Sequence, residues 1–462
     1  MPWGEWPVPR PFFVDDSDAN EAPPSFALKV YGCQMNVYDG DRMRRAMTLL
    51  GWKEADEPEE ADCVIFMTCS IRDKAEQKVL SELGRFRSQW MKKRKPYIAL
   101  LGCMTQRTGR TVVEKFPWVK IVAGPRSLGA VPSSIARSFF TDAPVFFHLD
   151  DDPTTLNDLT CAPESRLNPH KAFVTISHGC DQFCSYCIVP YVRGRFGSKA
   201  PDRIMQEISA LLASGVVEVT LLGQNVNTYG RDLKGYRFAN LLKDVAGLPG
   251  LRRLRFTTSH PIDFTDDILE AMSTHSDVIC PSINLPVQAG SDKVLREMNR
   301  KYTRDEFLSV IERIRKTLPE VGLTTDLIVG FPGETVEEFL QSVSLLELVR
   351  FDLVHSAAYS PREGTPAAAR EDRVSPKESA RRLVQINELQ TGISMEINRS
   401  LIGKTVEVLI DEPAEKGAEL MQGRTATDKV VLLKATEEMR GEFRRAKITE
   451  ASPWCLTGEI LR

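Results

Sequence analysis

The sequence predicts an α/β protein in three parts: an N-terminal parallel α/β sheet domain, a central partial (β/α)6 barrel and a small C-terminal antiparallel β-barrel. Short apolar, β-branched runs alternate with helical stretches through the first two parts, and this alternation is typical of parallel sheets. From residue 399 onward only short β runs remain, which favours a small barrel. At 462 residues the chain is too long for one hydrophobic core, so several domains are expected.

The N-terminal part contains three strand-type runs that each end in a cysteine. They are FALKVYGC, CVIFMTC and YIALLGC, which end at Cys33, Cys69 and Cys103. Helical stretches follow, so the strands should lie parallel, and such sheets bind ligands beyond the carboxyl ends of their strands. We therefore expect the three thiols to meet at one edge of the sheet. For any one of them alone, a buried cysteine without a function is the alternative.

The central part contains six strand-type runs with helical stretches between them. They are AFVTISH, EVTLLGQ, RLRFTTS, SINLPVQ, LTTDLIV and LVHSAAYS. A βα series of this kind curls into a barrel whose chemistry lies on the face where the strands end. A closed barrel of this type has eight units, so the sequence predicts a partial barrel.

Changes in composition set the domain boundaries. Residues 1–25 are rich in Pro and Asp and predict a disordered N-terminal arm. Acids, prolines and small polar residues predict a linker over 142–168. The N-terminal domain then spans 26–141, the central domain 169–398 and the C-terminal domain 399–462.

The composition argues against several classes of protein. A net charge of −3 gives no global attraction to nucleic acid, so any such binding must come from local patches. No apolar run approaches the roughly 20 residues that cross a bilayer, and the N-terminus does not resemble a signal peptide. We therefore expect a cytoplasmic protein that does not bind membranes. Its ten cysteines are then expected to be metal ligands, reactive groups or buried thiols rather than disulfides.

A second group of cysteines lies in SHGCDQFCSYC, directly after the first strand of the predicted barrel. Cys180, Cys184 and Cys187 have the spacing Cys-x3-Cys-x2-Cys, and no fourth cysteine lies nearby. A structural zinc site normally has four ligands, and His178 is awkwardly placed for the fourth. A closed 4Fe–4S site also uses four cysteines, so three leave one iron open to a substrate or cofactor. The sequence therefore predicts an iron–sulfur cluster with one open coordination position.

This spacing resembles the signature of the radical SAM superfamily. The segments IVPYVRGR, LLGQNVNTYG, TDLIVGFPGET and VYGCQMNVYD resemble the methylthiotransferases of that superfamily, and the tail resembles a TRAM domain. Matching segments run from about residue 27 to residue 461. TCSIRDKAEQKV and GQNVNTYG are most similar to the members that modify isopentenylated adenosine in tRNA.

The resemblance implies two 4Fe–4S clusters and S-adenosylmethionine (SAM) as cofactors. Cys180, Cys184 and Cys187 would hold the radical-generating cluster, which binds SAM. Cys33, Cys69 and Cys103 would hold an auxiliary cluster that carries the sulfur. A 5′-deoxyadenosyl radical from one SAM would abstract hydrogen from carbon 2 of the modified adenine, and a second SAM would supply the methyl group.

The SAM pocket is expected among polar residues at the ends of the barrel strands. The candidates are Gln224, Ser259, Gln288 and Asp326. Polar residues also occur at strand ends simply because the chain turns towards solvent there, which is the alternative for each. Met67 and Lys199 depart from the family, in which Asn and Arg are usual. No catalytic residue beyond the cluster ligands is identified.

The TRAM-like tail implies RNA binding, with Arg444, Arg445 and Lys447 as candidate contacts. Residues 399–462 contain 11 basic and 11 acidic side chains, so only a one-sided distribution would create a phosphate-binding face. The expected partner is the anticodon stem-loop of a tRNA, with the target adenine turned out of the stack. A reductase or flavodoxin-type electron donor and iron–sulfur assembly proteins are further expected partners of a monomeric enzyme.

Two alternative functions remain open at this point. The same reaction could act on threonylcarbamoyladenosine in tRNA or on an aspartate of a ribosomal protein. The chain could instead be a zinc-stabilised RNA-binding protein without catalysis.

Overall fold

The fold is taken from a computed structural model that describes residues 23–70, 73–141, 145–149, 159, 168–414 and 420–461. Most of the predicted N-terminal arm, 1–25, and most of the predicted linker lie outside the described residues, and Ser25 at the end of the predicted arm belongs to the first strand instead. The chain forms two compact units, Met1–Leu167 with Val189–Arg195, and Asn168–Ile188 with Phe196–Arg462.

The first unit contains a six-stranded parallel sheet with the strand order β2-β1-β3-β4-β5-β6. Its strands are β1 Ser25–Val30, β2 Lys53–Glu54, β3 Cys63–Thr68, β4 Tyr97–Gly102, β5 Val119–Ala123 and β6 Phe146–His148. Its helices are α1 Gln34–Leu49, α2 Asp73–Arg85, α3 Arg87–Lys93, α4 Cys103–Lys115, α5 Val131–Thr141 and α6 Val189–Val192. The predicted parallel α/β sheet is confirmed.

The central strands of this sheet are buried on both faces. All six residues of β3 are buried, and alternate residues belong to different apolar cores. Ile65 packs in the core on one face with Met43, and Phe66 packs in the core on the other face with Leu83. This explains why the strand is an unbroken apolar run rather than an alternating one. Strand β6 lies within the predicted linker, so part of 142–168 belongs to the sheet.

The second unit begins with six parallel strands that form a partial barrel. They are β7 Lys171–Thr175, β10 Glu218–Leu222, β11 Arg253–Phe256, β12 Ser282–Asn284, β13 Gly322–Val329 and β14 Leu353–Ala358. The two-residue strands β8 Ser177–His178 and β9 Gly197–Ser198 pair antiparallel beside them. Two ladders of three strands are joined by a bridge between Leu254 and Ile279 and by a hydrogen bond from Ser259 N to Asn284 O at 3.3 Å. The predicted partial barrel is confirmed.

Helices cover the outside of these strands. They are α7 Pro201–Ala213, α8 Phe238–Ala246, α9 Asp266–Thr274, α10 Asp292–Glu297, α11 Arg304–Thr317, α12 Val336–Val349 and α13 Pro376–Arg399. Thr303 and Thr335 cap α11 and α12, and each side chain accepts a hydrogen bond from a glutamate N–H three residues later. None of the helices among the described residues is both long and apolar enough to span a membrane.

The tail is a closed five-stranded barrel with the order β15-β16-β17-β19-β18. Its strands are β15 Thr405–Pro413, β16 Leu420–Thr425, β17 Val430–Lys434, β18 Phe443–Ala451 and β19 Leu456–Ile460. All pairs are antiparallel except β17 with β19. It packs at the start of the large-barrel strands, where Arg255 donates to the carbonyls of Thr425 and Ala426 at 2.7 and 3.0 Å.

Candidate cluster and cofactor sites

The cysteines of the first unit lie at the carboxyl edge of its sheet. Cys33 precedes α1, Cys69 follows β3, and Cys103 is the first residue of α4. Because β1, β3 and β4 are neighbouring parallel strands, their ends bring the three thiols to the same edge. A hydrogen bond from Cys69 lowers the pKa of the Cys33 thiol to about 5.

Two glycines let these strand ends approach closely. Gly32 has φ +109°, and a Cβ there would lie 2.2 Å from Cys69 Cβ and 2.9 Å from its Sγ. Gly102 has φ +105°, and a Cβ there would lie 2.4 Å from the carbonyl oxygen of Thr68. Both positions need left-handed backbone and have no room for a side chain. The cysteine edge is therefore built by backbone packing as well as by the thiols.

A buried arginine contacts this trio. Arg193 Nε donates to Cys103 Sγ at 3.1 Å, and its Nη2 donates to Asn36 Oδ1 at 3.3 Å. Burial raises the pKa of the Cys103 thiol, and the Arg193 charge opposes that rise. Sequence reasoning missed Arg193, although it lies in the quoted segment IVPYVRGR.

The donor set of this trio suits an iron–sulfur cluster. It consists of three cysteines at one edge of the sheet. Zinc needs ligands that meet tetrahedrally around one ion, whereas a 4Fe–4S cluster is held at separate irons by separate thiolates. Three soft thiols with a neighbouring cation suit an anionic cluster.

The second trio lies in the loop that follows β8. Cys184 is buried, whereas Cys180 and Cys187 are partly exposed. Arg300 is buried, and its Nη1 lies 3.5 Å from Cys184 Sγ. Each trio therefore has one buried arginine against one of its sulfurs.

The segment before Arg300 fixes this loop. Asn299 Nδ2 donates to the carbonyl of Phe183 at 2.9 Å, and Ser185 Oγ donates to the carbonyl of Glu297 at 2.7 Å. Phe183 has φ +49°, an unfavourable conformation for an aromatic residue. Tyr186 in the same loop is partly buried against the core of the second unit, and desolvation of its hydroxyl raises its pKa. The loop is thus held in one conformation by contacts from a distant segment.

Three of the four predicted SAM-pocket residues, Gln224, Ser259 and Gln288, follow the carboxyl ends of barrel strands, and Asp326 lies within β13 beside them. The Ser259 N–H donates to the carbonyl of Asn284, whose Nδ2 lies 3.1 Å from Asp326 Oδ2. Gln288 N donates to the carbonyl of Asp326 at 2.8 Å. Gln224 follows β10 at the adjacent strand end. The structure therefore brings all four to the same face of the barrel.

Several buried polar atoms on this face lack a hydrogen-bond partner among the described residues. They are Thr175 Oγ1, Ser177 Oγ, Asn225 Oδ1, Asn227 Nδ2 and Ser259 Oγ. Buried polar groups in native proteins are almost always paired, so this cluster indicates a polar ligand. The amino, carboxylate and ribose groups of SAM match such a set of donors and acceptors.

The predicted RNA contacts lie on β18. Arg444 is partly exposed and pairs with Glu442 at 2.5 Å, whereas Arg445 and Lys447 are exposed. Arg445 and Lys447 alternate with the buried Ala446, so they face outward together. Their cross-strand neighbours include Glu407 and Glu459, which reduce the positive charge of this face.

The fold and the thiols define a radical SAM protein, and comparisons with known proteins agree. Residues 174–346 match the Radical SAM superfamily, residues 25–124 match the Uncharacterized protein family UPF0004, and residues 399–461 match the TRAM domain. The solved radical SAM methyltransferase TsrM of Kitasatospora setae is 12% identical with a TM-score of 0.51, covering 75% of this chain and 74% of TsrM. That likeness concerns the fold alone.

Curated relatives match nearly the whole chain. A tRNA-2-methylthio-N(6)-dimethylallyladenosine synthase from Dictyoglomus thermophilum is 40% identical over 95% of this chain and 99% of its own length. A relative of the same name from Carboxydothermus hydrogenoformans is also 40% identical, over 95% of this chain and 99% of its own length. The chain belongs to the family of tRNA-2-methylthio-N(6)-dimethylallyladenosine synthases. The predicted family, enzyme class and cofactors, SAM and 4Fe–4S clusters, are confirmed with it.

Proposed function

We propose that this enzyme converts isopentenylated adenosine beside the anticodon of tRNA into its 2-methylthio form. The observation that carries the proposal is the pair of cysteine trios, each at a carboxyl strand edge and each with a buried arginine against one sulfur. Relatives that match nearly the whole chain bear the name of this activity. No feature of the described residues favours the ribosomal or threonylcarbamoyl substrates.

The two cysteine trios would hold clusters with different roles. Cys180, Cys184 and Cys187 would hold the radical-generating cluster, and Cys33, Cys69 and Cys103 the auxiliary cluster. When bound, the clusters and SAM supply the radical, the sulfur and the methyl group, because side-chain acid–base chemistry cannot activate an aromatic C–H bond. The chain itself holds the thiolates, orients the cofactor and binds the RNA.

The mouth of the barrel would bind SAM through its polar strand ends. Ser259 and Asn225 offer buried oxygens that have no partner among the described residues, and Asp326 offers a carboxylate held by Asn284. Gln224 and Gln288 complete this set of polar residues. Because the polar groups of this pocket are already in position, little side-chain entropy is lost when SAM binds.

The TRAM barrel would contact the anticodon stem-loop through Arg445 and Lys447, with Arg444 beside them. Phosphate contacts of this type position an RNA without reading its sequence. The target adenine must leave the stack to reach the barrel, which costs a few kcal/mol of stacking. We further propose a cytoplasmic monomer that takes electrons from a flavodoxin-type donor or reductase and its clusters from iron–sulfur assembly proteins.

The proposal is tested with anaerobically reconstituted enzyme, SAM, a reductant and three tRNAs that differ only at the target adenosine. Isopentenylated tRNA should give a 2-methylthio nucleoside by mass spectrometry, while unmodified and threonylcarbamoylated tRNA should not. Cys33→Ala and Cys180→Ala should each abolish the product and lower the iron content from about eight to about four per chain. A product on threonylcarbamoylated tRNA alone would reject the proposed substrate, and a colourless zinc protein would reject the reaction.

A further inference from the structure

Arg193 connects two of the cysteine-bearing strand ends of the first unit. It is 3% exposed, its Nε donates to Cys103 Sγ at 3.1 Å, and its Nη2 donates to Asn36 Oδ1 at 3.3 Å. Asn36 in turn donates to the carbonyl of Thr68, the residue before Cys69, at 2.9 Å. The Arg193 guanidinium is therefore bonded directly to Cys103. Through the Asn36 amide it is also linked to the backbone beside Cys69.

Arg193 places a guanidinium charge in a buried position, with its Nε 3.1 Å from Cys103 Sγ. A buried cation is stable only when anions compensate it. A thiolate at Cys103 and the guanidinium would therefore stabilise each other.

The position of Arg193 is also fixed from its backbone. Its carbonyl accepts a hydrogen bond from Arg126 Nη1 at 3.1 Å. Although Arg193 follows the Cys180–Cys187 loop in sequence, the segment Val189–Arg195 folds as part of the first unit. The side chain is therefore held at the cysteine edge by contacts within that unit.

We propose that Arg193 is a positioning residue that holds Cys103 as a ligating thiolate and raises the reduction potential of the cluster on Cys33, Cys69 and Cys103. The inference rests on the proposed function, because it takes this trio to be the auxiliary-cluster site. Hydrogen bonds to ligand sulfurs and a nearby positive charge favour the more negative, reduced state of an iron–sulfur cluster. Arginine suits the role because its planar fork donates to two atoms while keeping its charge.

Two substitutions separate charge from hydrogen bonding. Arg193→Lys keeps the positive charge but removes the planar guanidinium that donates to two atoms. Arg193→Gln keeps a hydrogen-bond donor but removes the charge. Arg195→Gln is the matched control, because Arg195 is an exposed arginine two residues along the same segment. All three are made in the full-length chain that also carries Cys180→Ala, Cys184→Ala and Cys187→Ala, so that only the auxiliary cluster gives a signal.

The readouts are iron content and an EPR-monitored redox titration. We expect about four irons per chain in the background protein and in Arg195→Gln, at one common reduction potential. Arg193→Gln should shift the potential to a lower value or lose the cluster, and Arg193→Lys should retain the cluster with a smaller shift.

Two results would overturn the inference. One is an identical potential and EPR spectrum in all four proteins. The other is equal loss of iron from Arg193→Lys and Arg193→Gln, which would make Arg193 a packing residue only. A background protein that binds no iron would instead contradict the proposed auxiliary site itself, so the two failures are distinguishable.

Discussion

Gly32 and Cys69 are packed so closely that a Cβ on Gly32 would lie 2.2 Å from the Cβ of Cys69. Gly32 directly precedes Cys33, so the same backbone turn sets the position of one ligand and the space left for another. Its φ of +109° adds a second requirement for glycine. The spacing of Cys33 and Cys69 thus depends on Gly32, which is not itself a cluster ligand.

Gly32→Ala should therefore displace Cys69 and remove the auxiliary cluster. We expect iron to fall from about eight to about four per chain, with the 2-methylthio product lost. Iron analysis and absorbance after anaerobic reconstitution measure this directly. Gly84→Ala is the control, because no atom lies within 4 Å of a Cβ at that helical position. Full iron content in Gly32→Ala would show that the strand ends can separate without cost.

Ser259→Ala tests the proposed SAM pocket. The Ser259 hydroxyl is buried with no partner among the described residues, so its removal should leave the free energy of unfolding unchanged or raise it by about 1 kcal/mol. Affinity for SAM should fall about five- to tenfold, because the loss of one hydrogen bond to ligand costs about 1 kcal/mol. Equilibrium binding and urea unfolding measure the two effects.

Ser342→Ala is the control for Ser259→Ala and should affect stability rather than SAM affinity. Ser342 is also buried, but its Oγ accepts a hydrogen bond from Gly290 N at 2.8 Å. Its loss should lower stability by about 1–3 kcal/mol and leave SAM affinity unchanged. If Ser259→Ala behaved like Ser342→Ala, Ser259 would be a structural residue.

The ligand cysteines could be predicted from the sequence because strand ends are local features. The apolar runs end at the cysteines themselves, and parallel topology brings those ends together. The two arginines could not be predicted in this way, because Arg193 and Cys103 are 90 positions apart and Arg300 and Cys184 are 116 apart. Contacts of long side chains from remote segments leave no periodic pattern in the sequence.

Strands β6 and β16 are among the strands that were not predicted from the sequence, and the reasons differ. Strand β6 has only three residues, Phe146–His148, and although its phenylalanines favour a strand, the run is short and lies between acidic and proline-rich segments. Strand β16 contains Gly423, which weakens the strand pattern. A Cβ at Gly423 would lie 2.4 Å from the carbonyl of Leu409, so the barrel requires glycine at this position.

Arg255→Met should weaken attachment of the TRAM barrel to the large barrel. Arg255 donates to two carbonyls of the TRAM barrel, and its Nε lies 3.1 Å from Glu218 Oε2. Removing it leaves the buried Glu218 with two more distant pairings, to Lys171 at 3.8 Å and to Arg253 at 3.9 Å. Breaking a buried pair from one side costs about 3–5 kcal/mol. Urea unfolding and limited proteolysis near residue 399 measure the loss.

The matched control for this change is the double variant Arg255→Met with Glu218→Met. Replacing both charges with apolar groups should recover most of the stability, because neither charge is then left buried and unpaired. If the double variant were as unstable as the sum of the two single variants, Glu218 and Arg255 would not be coupled.

His260→Gln should make the stability of the protein less sensitive to acid. Burial lowers the pKa of His260 to about 2, with the positive charges of Arg300 and Lys301 adding to the effect, while Asp263 lies 3.7 Å from Nδ1. An unfolded histidine titrates near 6.5, so below that pH the unfolded state binds a proton that the folded state does not. Stability attributable to this residue is therefore present above about pH 6.5 and falls as the pH is lowered, by up to about 1.4 kcal/mol per pH unit. Urea unfolding of cluster-free protein between pH 7.5 and 5 should show a smaller decline for His260→Gln than for the unsubstituted chain, and parallel declines would mean that His260 is protonated in the folded state.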